Sequence, residues 1–293
     1  MNKSKRKVSK VAVTYQQLMD LQRLGQKVHY AEEDAILYAL SVGAAAEGIN
    51  ERNLPFVYEG RRMRTVPSIA TVLMRAPILA SGLDFSRVLH GEQRLTLHRE
   101  IPASGTLIVD AGIAQVIDKG PEKGSVVLFE SRARTTEGEP VFTTVTVLLA
   151  RGDGDIGGPT GSLPPPHPIP QRNPDLTIAI PTRPDQTLLY RLHEDKNPLH
   201  VDPKVAAKAG FPGPILHGLC TYGLVCSTLV KTVCEGDPAQ MASFDARFTG
   251  SVLPGDTLEL GVWIDGKTLS FRCRVPARNQ VVLDNGKSEL RNE

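Results

Sequence analysis

The chain has 293 residues and a mass of 31.8 kDa, with 34 Lys and Arg against 32 Asp and Glu. A net charge of +2 excludes a phosphate-tracking surface, which needs a large basic excess, so nucleic acid is not expected as a partner. With 41% hydrophobic and 23% charged residues the composition is that of an ordinary globular protein. The length predicts one large domain or two of about 150 residues, able to bury a core without disulfides or metal staples.

The N-terminus, MNKSKRKVSKVAV, is basic but lacks the apolar run that a secretion signal requires. No stretch reaches the eighteen or so uninterrupted apolar residues of a membrane span. The last residues, SELRNE, form neither a peroxisomal SKL-type signal nor a lipidation motif. These features predict a soluble protein of the cytoplasm. Residues 31–46 (AEEDAILYALSVGAAA) predict a helix with acidic residues in its first turn. Residues 66–80 form a second apolar stretch, helical in part and interrupted by Pro77. Strand-like runs follow at 94–98, 106–116, 125–133 and 141–150, with turns at 102–105 and at Lys119-Gly120.

Residues 152–174 (GDGDIGGPTGSLPPPHPIPQRNP) are so rich in Gly and Pro that neither helix nor central strand persists there. They predict a linker between an N-terminal domain, 1–151, and a C-terminal domain, 175–293. Gly152, Gly154 and Gly157 spell GxGxxG after an apolar run. A dinucleotide fingerprint needs a helix next, whose N-terminus holds the pyrophosphate, and prolines follow instead. The match is a decoy.

The second half repeats the order of the first. Asp202-Pro203 starts a short helix that Gly210 ends, and residues 214–233 are apolar on nearly every face, as in a helix buried all round. Strand-like runs at 242–248, 257–264, 268–275 and 280–283 follow. Each half therefore predicts a buried helix followed by antiparallel strands, an α+β architecture with an internal repeat. Cys220, Cys226, Cys234 and Cys273 form no CxxC pair and read as reduced, buried thiols.

The chemistry-bearing stretch is YRLHEDKNPLHVDP, residues 190–203. Asp195, Asn197 and His200 fall close together just before a helix, and Asn197-Pro198 disfavours helix at Asn197. A carboxylate and an imidazole within reach of one water can share proton removal and donation. The plainer alternative is that Asp195 or Asn197 caps the turn and His200 is structural. Next, GFPGPILHGLCTYG (210–223) places His217-Gly218 at the first turn of the buried helix. There the free amide of Gly218 could polarise a carbonyl as an oxyanion donor, or the glycine only permits close packing. His193, Asp195, His200 and His217 match no standard metal-ligand spacing, so no metal is expected.

These two runs resemble the hydratase 2 (MaoC-like) signature of (R)-specific enoyl-CoA hydratases, particularly the hydratase region of the peroxisomal multifunctional enzyme type 2. The resemblance extends upstream to YAEEDAILYALSVGA, LPFVYEG, VLHGEQ and VIDKG, and downstream to ARFTGSVLPGDTL. It implies a double hot-dog fold, two repeats each with a long central helix wrapped by an antiparallel sheet. It implies Asp195 and His200 as a catalytic dyad, with Asn197 assisting and Gly218 binding the thioester. His90, Gly91, Lys119 and Phe248 match substrate-contacting positions, and Lys119 would suit a phosphate or the adenine end of CoA. The resemblance implies no separate cofactor, since the CoA belongs to the acyl-CoA substrate, and it implies a homodimer. The family has Ser-Gly immediately before the aspartate, where this chain has His193-Glu194. The first half lacks its own Asp-x-Asn-Pro-x-His, which implies that it gives room to a medium, long or bulky acyl tail. Rival readings are a non-catalytic acyl-CoA-binding subunit, a dehydratase of an acyl-carrier-protein or sterol side-chain thioester, and a hot-dog thioesterase.

Overall fold

The computed structural model describes residues 13–291 apart from Glu194, so the basic N-terminal tail lies outside the described residues. The first repeat holds α1 (Tyr15–Met19), β1 (Gln22–Tyr30), α2 (Glu32–Ser41), α3 (Leu54–Val57), α4 (Ala70–Leu73), β2 (Val88–Leu97), β3 (Gly105–Asp118), β4 (Ser125–Arg134) and β5 (Pro140–Ala150). The second holds β6 (Leu176–Pro181), α5 (Gln186–Tyr190), α6 (Pro203–Lys208), α7 (Gly218–Thr232), β7 (Ser243–Phe248), β8 (Thr257–Asp265), β9 (Thr268–Val275) and β10 (Gln280–Glu289). All the strands join one antiparallel ten-stranded sheet, in the order β1-β3-β4-β5-β2-β7-β10-β9-β8-β6. Adding five to each strand number of the first repeat gives the second, read from its far edge. The internal repeat is thus a repeat of topology, and the fold is the double hot dog.

The halves meet where β2 pairs β7, with Glu92 opposite Arg247 and Leu95 opposite Phe244. One apolar core runs under both, from Leu95 and Phe142 in the first to Phe244, Leu260 and Phe271 in the second. Arg64 ties them again, its guanidinium donating to Glu100 at 2.7 Å and to Asp237.

Helix α7 is the long central helix expected, and every residue from Cys220 to Val230 is buried. Its Gly223 is a point of close approach: a Cβ there would lie 2.5 Å from Val42 Cγ1 and 3.0 Å from the Tyr38 hydroxyl. The first repeat departs from expectation. In place of a long helix it has a 3-10 turn, Pro67–Ile69, running into the four-residue α4. Arg75 then adopts a left-handed φ of 48°, and Pro77 fixes the chain out of helix.

Residues 152–174 contain no helix or strand, only a bridge from Thr160 to Asp118. The Asp118 carboxylate organises the start of this segment by accepting from the amides of Gly120, Asp155 and Ile156. No helix follows the GxGxxG, as the prolines require. The four cysteines are free and buried, and burial raises every thiol above its ordinary range.

Candidate active site

Pro198–His200 is a single 3-10 turn whose N-cap is Asn197. The Asn197 side-chain oxygen accepts from the Leu199 amide at 3.0 Å, and Asp195 Oδ1 accepts from the Asn197 amide at 3.2 Å. Two consecutive Asx-type turns therefore fold the segment back on itself. Asp195 is exposed at the surface end, while His200 is buried at 8% exposure. Asn197 shapes the turn that carries His200, so the capping role weighed from sequence is realised at this residue.

His200 Nδ1 lies 2.8 Å from the Ile215 carbonyl, an acceptor only, so this nitrogen carries the proton. The neutral ring then keeps its lone pair at Nε2. His217, which caps α7, stacks on His200 with centroids 3.8 Å apart and planes inclined by 27°. Its Nε2 donates to the backbone carbonyl of Asp195 at 3.3 Å. Asp195, His200 and His217 each bring one side-chain oxygen or nitrogen to within 4.8 Å of the others. These three could bracket a cation by distance, and the same closeness lets a carboxylate and an imidazole act on one water.

The first repeat contributes across the seam. A β-bulge between His90 and Glu92 inserts Gly91, and a Cβ on Gly91 would meet Leu149 Cγ at 3.0 Å. The bulge brings the His90 ring 4.4 Å from Phe248 at the end of β7, close enough to Asp195 to feel its charge. Its Nε2 is buried with no hydrogen-bond partner among the described residues. Phe248 lies over the start of α7, since a Cβ on Gly218 would be 3.3 Å from its ring. A side chain at 218 would crowd the Phe248 ring, so packing favours glycine there, whatever its amide also does. Lys119 stays apart: it lies at the end of β3, three strand spacings or about 14 Å from β2. Its ammonium donates to the Gly161 carbonyl of the linker.

Burial pushes the pKa of His90 down to about 4. Burial, and then repulsion from His200, push His217 down to about 4 as well. Both rings are therefore neutral at neutral pH. From sequence His217 was weighed only as a metal-ligand candidate and as the neighbour of Gly218, not as part of the catalytic site. Tyr190, whose ring sits 5.0 Å from His217 and whose hydroxyl is buried without a hydrogen-bond partner among the described residues, carried no signal at all.

The comparisons with known proteins now bear on this geometry. Residues 28–152 match the model of the MFE-2 hydratase 2 N-terminal domain, and residues 167–285 match that of the MaoC like domain. An enoyl-CoA hydratase of Mycobacterium tuberculosis is 37% identical over 268 residues, covering 88% of this chain and 91% of that protein. The chain belongs to the MaoC-like hydratase 2 family. A second relative in the family, the 3-hydroxyacyl-thioester dehydratase Y of the same bacterium, is 39% identical over 89% of this chain and 92% of its own. A crystal structure of a MaoC-like dehydratase from Phytophthora capsici superposes with a TM-score of 0.84 at 29% identity, covering 96% of this chain and 100% of that one. The bulged His90, the Asp195–His200 turn and the glycine-led α7 thus come together at the seam of a MaoC-like fold.

Proposed function

We propose that this chain is an (R)-specific trans-2-enoyl-CoA hydratase, acting in reverse as a (3R)-3-hydroxyacyl-CoA dehydratase. The observation that carries the reading is the His200 ring, whose Nδ1–H is held by the Ile215 carbonyl and whose other nitrogen is left to work beside the Asp195 carboxylate. In the hydration direction a water held by this pair loses a proton to the dyad as its oxygen bonds the β carbon. The α carbon takes a proton from the same pair, so the dyad ends as it began. Asn197 keeps the turn in register. The Gly218 amide, at the electropositive start of a 15-residue helix and lacking an acceptor four residues earlier, stabilises charge developing on the thioester oxygen.

His90, Gly91 and Phe248 wall the reacting end, and Lys119 is assigned to the distant, phosphate-bearing end of CoA. CoA is part of the substrate, and the reaction as derived needs neither a separate cofactor nor a metal. Four free, buried thiols support placement in a reducing compartment, the cytoplasm. The family resemblance supports a homodimer, which sedimentation would check.

The test is loss of the enoyl-thioester absorbance with trans-2-decenoyl-CoA, with chiral analysis of the product. Saturable loss giving the R alcohol supports the proposal. Release of free CoA instead would make the chain a thioesterase, and binding without turnover would make it an acyl-CoA-binding subunit.

A further inference from the structure

We infer that His193 is a positioning residue, docking the catalytic loop of the second repeat onto helix α2 of the first and thereby holding Asp195 in place. The inference rests on the hydratase reading for its kinetic consequence and on the structure alone for the anchor. His193 stands where the family pattern has a small residue, so a role for its ring is a property of this chain.

The ring is half-buried at the end of the Arg191–His193 turn. Its Nε2 lies 3.2 Å from Ser41 Oγ at the end of α2, a contact across 152 residues of sequence. Ser41 has one hydroxyl proton, and it goes to the Tyr38 carbonyl at 2.8 Å. Ser41 Oγ is thereby an acceptor facing the ring, and the Leu37 carbonyl of α2 is a second acceptor beside it, so the ring N–H of His193 is held by the end of α2. Tyr38 and Tyr190 enclose it, with centroids at 5.3 Å and 5.8 Å and planes inclined by 64° and 68°. The Gln186 side chain, seven residues earlier at the start of α5, donates to the Ser41 carbonyl, so the same end of α2 grips this region twice.

What the anchor holds follows from the loop. Residues 195–198 are exposed and are shaped chiefly by their own short-range hydrogen bonds. Such a segment stays in one conformation only if its ends are fixed. One fixed point is the Asp195 carbonyl on His217, and the other is His193, two residues earlier. Both reach the dyad through the same ring, because Tyr190 packs on His193 and on His217, and His217 stacks on His200. A small side chain at 193 would release the loop from α2 and loosen Tyr190 together. A carboxylate displaced by about 1 Å can cost on the order of 100-fold in rate.

The experiment compares wild type with His193→Ala, His193→Gln, Ser41→Ala and the His193→Ala/Ser41→Ala double variant, following kcat, KM, Tm and amide hydrogen exchange. Gln keeps an N–H near the position of Nε2. The expected result for His193→Ala is a kcat fall of about 10-fold or more with KM within about twofold. Exchange at the Asn197 and Leu199 amides should be about 10-fold faster. His193→Gln should recover most of both, and the double variant should be no worse than His193→Ala alone, because the two residues act as one contact. Unchanged kcat and unchanged exchange in His193→Ala would overturn the inference, as would a loss confined to Tm. If wild type itself hydrates no enoyl-CoA, the hydratase reading fails, and the exchange rates alone then decide whether His193 is the anchor.

Discussion

At the scale of single residues, the site depends on keeping two histidines uncharged. His90 and His217 have folded-state pKa values of about 4, against 6.5 for the free side chain, chiefly because burial disfavours the imidazolium. The unfolded chain therefore binds protons below pH 6.5 that the folded chain refuses until about pH 4. Stability from both groups is complete above the upper value and is lost as pH falls through that window, by roughly 1.4 kcal/mol per pH unit for each. Urea unfolding should show a clearly lower midpoint at pH 5 than at pH 7, and His90→Gln should flatten the dependence by about half. Identical midpoints in wild type would mean that neither ring is held neutral by the fold. The same scale shows where the sequence was readable. Asp195, Asn197 and His200 stood out because a proline-fixed turn forces them together within a few residues. His217 and Tyr190 did not, since their role depends on stacking and on a carbonyl that only the folded loop presents.

Among the elements, α7 carries the most. Its Gly223 sets how closely it approaches α2, and the two ends of the argument compete there. Alanine in a helix interior is favoured over glycine by about 1 kcal/mol, whereas forcing a methyl into a packed contact costs about 1–3 kcal/mol. With Val42 Cγ1 only 2.5 Å from the new Cβ, the clash wins, so Gly223→Ala should lower Tm in a thermal melt. A rise in Tm would mean that α2 moves freely and does not grip α7. Most inner strands were legible from their apolar runs, but β2 begins at Val88, six residues before the run at 94–98, because its first half carries the polar, bulged His90-Gly91-Glu92. The two edge strands, β1 and β6, were not. Their burial runs exposed over most of their length, because one side of each faces solvent, so no alternation marks them. Gly25, at a left-handed φ of 64° in a register shift, further breaks the pattern in β1. The length of β10 was also underestimated, since Asn285 and Gly286 look like a turn and instead sit in an irregular stretch of strand.

For the whole molecule, the two repeats share one sheet topology but divide the work. The second has the long α7 and the Asp195–His200 turn; the first has only α4 and a 3-10 turn in the corresponding layer. The interruption was foreseeable from Pro77, although the left-handed Arg75 that completes it was not. A shortened helix leaves the first repeat with less backbone between its sheet and the seam, where His90 and Phe248 meet. On this account the first repeat takes the acyl tail, and kcat/KM should rise from crotonyl-CoA to trans-2-decenoyl-CoA. Strict preference for the four-carbon substrate would defeat that division. The central claim is that Asp195 and His200 together perform the hydration. Its most direct test is the steady-state rate of Asp195→Asn and His200→Ala on trans-2-decenoyl-CoA, with Tm measured alongside. The account predicts that each variant loses about 100- to 10,000-fold in kcat while remaining folded. Either variant turning over near the wild-type rate would contradict it.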